Sequence, residues 1–273
     1  MANNSAGVRR RPTRRDDEPV DSLFEVPAAV LCATCGQADC TGCTAASELE
    51  SGVLAIVPWE RSGGVWTRLW TTATATTQGA EAFFAVLPDG ELPPALRFAV
   101  LAELLAVASM AMLLIPFVAL ALPSLAISVV HDPALRWSAL RWLGVGVPAL
   151  ALWMVIAHVT HGASLAAGAR AQGARPQHRR AVRFGLYACG WDLMAGPLGG
   201  LVTLTTKGVR AAAEIGELAM VVPGRAAIAL LHGVYQLTPP QIVKARRSGA
   251  VAAVLIALAS AAMVMAAAVA TLS

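Results

Sequence analysis

The chain has 273 residues, of which 56% are hydrophobic and 14% charged, with a formal net charge of +4. Soluble domains carry about 25% charged and roughly 45–50% apolar residues, so the composition argues against a soluble enzyme, a disordered chain and a nucleic-acid binder. An aromatic content of 5% is low for a membrane β-barrel with aromatic girdles. The expectation is an all-α, polytopic helical membrane protein with a polar N-terminal tail. Lysine occurs twice and arginine 19 times, which together with heavy Ala and Gly use points to a GC-rich bacterial genome.

Residues 1–24 form a charged tail with too little apolar surface to order itself. No signal-type apolar core follows its arginines, so the chain is expected to start in the cytosol. Residues 25–52 hold Cys32-Ala-Thr-Cys35-Gly36 and Cys40-Thr-Gly-Cys43. Two C-x-x-C turns bring four thiolates together, the closed ligand set of a structural zinc. Cys32, Cys35, Cys40 and Cys43 are therefore expected to hold one structural Zn2+. The same four thiolates leave iron–sulfur ligation, redox disulfides or free thiols open. The fifth cysteine, Cys189, falls in an apolar run and reads as a packing residue.

Residues 53–96 read as an amphipathic juxtamembrane segment. Trp59, Trp66, Trp70, Phe83 and Phe84 are expected at the membrane interface, where Trp is favoured; a small helical cap packed on the bundle is the alternative. The membrane domain, 97–273, contains apolar runs at about 98–122, 143–167, 182–206, 215–237 and 249–272. Each is long enough to cross a ~30 Å hydrocarbon layer at about 1.5 Å per residue. Pro116 and Pro123 are positioned to kink or end the first run, and Pro223-Gly224-Arg225 interrupts the fourth. Under this plan 16 basic residues lie on the N-terminal side of the membrane and 4 on the other, with Arg225 left inside. The positive-inside rule then places the N-terminus in the cytoplasm and the C-terminus outside, in a bacterial inner (plasma) membrane.

Ionisable residues within a bilayer are costly and mark function or internal pairing. Here they are Glu103, His158, His161, Asp192, Arg225 and His232. Counted along the spans, all but Arg225 fall in the cytoplasmic half of the membrane. Asp192 paired with Arg225 or a histidine, as internal glue, is the first expectation. A polar cavity binding a lipid headgroup, an ion or a partner segment is the second. His158-Val-Thr-His161 lacks the glutamate and spacing of an H-E-x-x-H zinc protease, and no catalytic residue is assigned. Gly196 and Gly200 have the G-x-x-x-G spacing of close helix packing.

Several short motifs follow one another along the chain. They are Val57-Pro58-Trp59-Glu60, Trp66 and Trp70, Ala82-Phe83-Phe84-Ala85-Val86-Leu87-Pro88, and Leu96-Arg97-Phe98-Ala99. Ala157-His158, Arg183-Phe184-Gly185-Leu186-Tyr187-Ala188 and Leu230-Leu231-His232-Gly233 follow. Spread over 57–265, they resemble the bacterial branch of the Yip family, integral membrane proteins named for interacting with Ypt/Rab GTPases. A proline common ahead of the Phe-Phe pair is replaced here by Ala80-Glu81-Ala82. The resemblance implies a five-span, non-enzymatic membrane protein; eukaryotic relatives act in vesicle trafficking and membrane shaping. The expected role is a scaffold or membrane organiser that recruits a cytosolic or membrane protein partner through the zinc-binding segment. A small transporter or lipid-handling protein is the rival. The lipid bilayer is the implied surroundings, nucleic acid is not an expected partner, and a homo-oligomer stays open.

Overall fold

A computed structural model describes residues 57–272, and among these the secondary structure is entirely helical. The tail cysteines Cys32, Cys35, Cys40 and Cys43 lie outside the described residues. A 3-10 turn, Pro58–Glu60, leads into α1 (Val65–Thr77) and α2 (Ala80–Ala85). Next come α3 (Leu92–Ala121), α4 (Pro123–His131) and α5 (Pro133–Ala171). The short helices α6 (His178–Ala188), α7 (Gly190–Ala195) and α8 (Pro197–Lys207) follow, then α9 (Val209–Gly233) and α10 (Pro239–Leu272).

Three helices, α3, α5 and α9, are long and apolar enough to cross a membrane. α10 carries the last apolar run in one uninterrupted helix. Prolines begin α3, α4 and α5, where the missing N–H costs no helical bond. Pro116, Pro148 and Pro223 lie inside α3, α5 and α9 without ending them. The fourth run is therefore not interrupted at Pro223-Gly224-Arg225.

The third run differs most from expectation. Residues 182–206 do not form one helix: the chain breaks at Cys189 and again at Gly196, giving α6, α7 and α8. The second break has a local cause. Gly196 is extended (φ −73°, ψ 172°) ahead of Pro197, and a residue before proline is disfavoured in the helical region. The Gly196/Gly200 spacing is not a helix-packing motif, because a Cβ on Gly200 would meet nothing within 4 Å. The close approach is made elsewhere, at Gly162 on α5 and Gly185 on α6, each against the other helix's backbone.

The two ends of the molecule differ in burial. At one end the 3-10 turn, α1 and α2 pack on α3, α6, α7 and α9, and the aromatic rings form one cluster. Phe84 lies 4.7 Å from Phe184 and 5.9 Å from Trp191, Phe98 lies 5.4 Å from Tyr187, and Trp59 meets Phe98 edge-on at 5.7 Å. Such geometries favour the ring quadrupoles. The opposite end, built from the second half of α3, α4 and the first half of α5, exposes Met112, Leu120, Ile127, Trp137 and Val145. A continuous apolar surface of this kind suits contact with lipid rather than water.

Residues 57–91 are consequently a packed cap. Trp59 and Phe84 are buried in protein, and their expected place at a lipid interface is corrected: their rings fill the cap core. Trp70 and Phe83 are partly buried against the same core. Trp66, 60% exposed, is the one of the five free to meet a membrane surface.

Candidate functional site

Two polar assemblies stand out: one ties the cap to α3, α6 and α7, and the other lies among the helices beneath it. The first is centred on Arg183 of α6, which is fully buried. Its Nη1 donates to the Glu91 carbonyl at 2.8 Å, and its Nη2 lies 2.8 Å from Glu60 Oε1. The Tyr187 hydroxyl donates to the same carboxylate oxygen at 2.6 Å. The guanidinium also stands 5.5 Å from the Tyr187 ring centre. Alongside, Trp59 Nε1 donates to the Pro94 carbonyl at 2.7 Å, and Arg68 covers the Trp59 ring at 5.0 Å. Trp191 of α7 closes the clamp by donating to the Thr76 carbonyl of α1 at 2.8 Å.

The second assembly lies deeper, where α3, α5 and the α6–α7 break meet. His158 Nε2 is 2.9 Å from Asp192 Oδ2 and 3.4 Å from Glu103 Oε1. With a carboxylate as acceptor at 2.9 Å, Nε2 carries the ring proton and donates to Asp192. The cause of this convergence is Gly185. Its Cα faces the His158 carbonyl and the Val159 Cα directly, so α6 sits against α5 with no side chain between them. Cys189 follows four residues on, about one turn, and Asp192 lies just past the break, in the first turn of α7, within reach of His158. Glu103 is completely buried, and neither of its oxygens has a hydrogen-bond partner in good geometry.

The expectation that Asp192 pairs with Arg225 or a histidine resolves in favour of histidine. Arg225 is not inside the bundle: its Nε is 3.6 Å from Glu81 on α2, and both side chains are more than half exposed. The reason is that the cap reaches α9 and offers a carboxylate there. His161 stands 6.2 Å from the Phe184 ring, with its Nε2 buried and without a hydrogen-bond partner. His232 Nδ1 is 3.3 Å from the Leu237 carbonyl, in the turn that ends α9. Neither is placed in the Glu103–His158–Asp192 group.

Cys189 is buried, as its packing reading requires, but it does more than fill space. Its thiol sulfur and the ligand atoms of Glu103 and His158 all lie within 4.8 Å of one another. The sequence reading missed this neighbour. The available signal was the three-residue spacing of Cys189 and Asp192, which places both on one helical side.

Glu103 and Asp192 also form the polar end of a cavity of about 500 Å³ between α3 and α5. Its remaining wall is almost wholly apolar and includes Met110, Leu114, Trp142, Leu150 and Met154. A polar end and a long apolar wall match an amphiphile better than a soluble metabolite. A second cavity, about 660 Å³, lies between the α5–α6 and α9–α10 turns and contains Arg175 and Arg180. There burial pushes the Tyr235 hydroxyl up to about 12, against the lowering influence of Arg180.

Comparison with known proteins adds no relative. No protein-family model matches the chain, and neither the curated proteins nor the solved structures contain a significant match. The likeness to the Yip family rests on the sequence motifs alone.

Proposed function

We propose that this chain is a five-span, Yip-like scaffold of the bacterial inner membrane, with its N-terminus in the cytoplasm and its C-terminus outside. In this reading α3, α5, the broken α6–α8 segment, α9 and α10 are the spans. The 16-to-4 division of basic residues supports that orientation. The protein is non-enzymatic and recruits a cytosolic partner through a zinc knuckle formed by Cys32, Cys35, Cys40 and Cys43.

The observation that carries this reading is the Glu60–Arg183–Tyr187 clamp. A loosely attached juxtamembrane helix would need no buried arginine. The clamp makes residues 57–91 a fixed platform on the membrane domain, and the four cysteines precede it in the chain. Deleting residues 1–50 is expected to abolish partner capture in crosslinking pull-downs from the native cell while leaving membrane insertion intact. Unchanged capture would refute recruitment through the tail.

A second reading, a lipid-handling protein, is favoured by the cavity between α3 and α5. If amphiphiles enter it, the full chain in liposomes accelerates lipid transfer, and Asp192→Asn slows it. Arg225→Met serves as a control, since Arg225 is exposed and outside the cavity lining. Transfer no faster than in protein-free liposomes removes this reading.

A further inference from the structure

We propose that Glu103, His158, Cys189 and Asp192 form a zinc site inside the helix bundle, separate from the tail cysteines, that ties α3, α5 and the α6–α7 break together.

The case begins with Glu103. A carboxyl group held wholly out of water is costly unless it is hydrogen-bonded, paired or coordinated to a metal. Glu103 has no hydrogen bond in good geometry on either oxygen. Its ion-pair contact, His158 Nε2 at 3.4 Å, directs its single proton to Asp192 at 2.9 Å. Glu103 is therefore a buried carboxyl group whose polar neighbours are His158, Cys189 and Asp192, the three side chains a shared metal ion would draw in. The Cys189 thiol stands against that same carboxyl group and has a second, long contact of 3.7 Å to the Gly185 carbonyl of its own helix.

The donor set indicates which ion would complete the group. One thiol, one imidazole and two carboxylates form a mixed S/N/O set, which suits zinc rather than calcium or magnesium. The geometry is close to what zinc requires. Tetrahedral zinc with ordinary bond lengths keeps its ligand atoms roughly 3.3–3.8 Å apart. The Glu103–His158 separation of 3.4 Å already falls in that range. The Glu103, His158 and Cys189 ligand atoms lie within 4.8 Å of one another, so contraction by about 1 Å at most completes the triangle. Asp192, 2.9 Å from His158 but outside that three-atom group, has to swing toward Glu103 and Cys189 to become the fourth ligand, and its side chain, 35% exposed at the cavity end, has the room.

Charge points the same way. When Nε2 of His158 takes the ion, its proton passes to Nδ1 and the imidazole stays neutral; a divalent ion held by it and two carboxylates forms a neutral group, and loss of the Cys189 proton to solvent leaves a single negative charge. Four protein ligands leave no open position, so the role is structural, in contrast to a catalytic zinc with a bound water. The inference does not depend on the scaffold or lipid-handling reading.

The tail cysteines must be removed from the measurement. In the full chain carrying Cys32→Ser, Cys35→Ser, Cys40→Ser and Cys43→Ser, Cys189 is the only thiol left. This protein, purified in detergent, loaded with Zn2+ or Co2+ and desalted, is expected to retain about one metal per chain. The cobalt form is expected to show a thiolate-to-metal charge-transfer band, which Cys189 alone can supply. Glu103→Gln and His158→Gln should lose the metal, and Cys189→Ser should lose the band. Retention no greater than in Glu103→Gln overturns the site. Bound cobalt without a thiolate band also overturns it, because the ion is then elsewhere. The band in the four-serine chain decides the matter even if a ligand variant fails to fold.

Discussion

Replacing Glu60 by alanine is expected to lower the stability of the membrane domain by about 3–5 kcal/mol, because it strands a buried cation. Arg183 has no exposed surface, so its guanidinium cannot regain water when its counter-ion is removed. Glu60 is 24% exposed and can rehydrate when Arg183 is replaced by methionine. The two single variants should therefore differ, with Glu60→Ala the more damaging. The double variant, Glu60→Ala with Arg183→Met, should lose less than the sum, since residues sharing one ion pair couple by about 0.5–3 kcal/mol. The measurement is unfolding in detergent micelles, followed by helical signal. Strict additivity of the two changes means that no clamp exists.

The second large effect is expected at Gly185. A Cβ there would lie 2.6 Å from the Val159 Cα and would also strike the His158 carbonyl. These are backbone atoms of a long helix, which cannot swing aside as a flexible side chain can. Gly185→Ala should cost about 1–3 kcal/mol, and Gly185→Val about 3 kcal/mol or more, as overpacking at a rigid contact. Gly200→Ala is the contrasting case. A Cβ there meets nothing within 4 Å and the site is helical, so alanine should stabilise by about 0.5–1 kcal/mol. Thermal unfolding of the three variants side by side tests the contrast. Equal effects at positions 185 and 200 would show that α5 and α6 do not meet through backbone at Gly185.

These two predictions also mark where the sequence could and could not be read. Long apolar runs declare themselves by composition, and three of the expected spans lie almost wholly within α3, α5 and α9. The run at 182–206 looked continuous because hydropathy does not register backbone geometry; Gly196-Pro197 was the cue for its second break. Trp59 and Phe84 are ambiguous in sequence because aromatic side chains are favoured both in protein cores and at membrane interfaces. Only their partners, Phe98, Phe184 and Trp191, decide between the two. The polar residues were identified as a set, but pairing is not periodic in sequence. His158 and Asp192 lie 34 positions apart, and Arg225 finds Glu81 from a different part of the chain. Glycines that do meet a neighbouring helix's backbone, such as Gly162, Gly168, Gly185 and Gly233, carry no recognisable spacing, whereas the pair that does, Gly196 and Gly200, makes no helix contact at Gly200.

The clamp between the cap and α6 also imposes a timetable on biosynthesis. Glu60 and Tyr187 are separated by 127 positions, and Thr76 and Trp191 by 115. At translation rates of about 5–20 residues per second, Glu60 leaves the ribosome roughly 6–25 s before Tyr187 does. Through that interval α1 and α2 have been made but lack Phe184, Tyr187 and Trp191, the rings that cover their apolar faces. The nascent cap must wait, sheltered by lipid or a chaperone, until the third hydrophobic segment emerges.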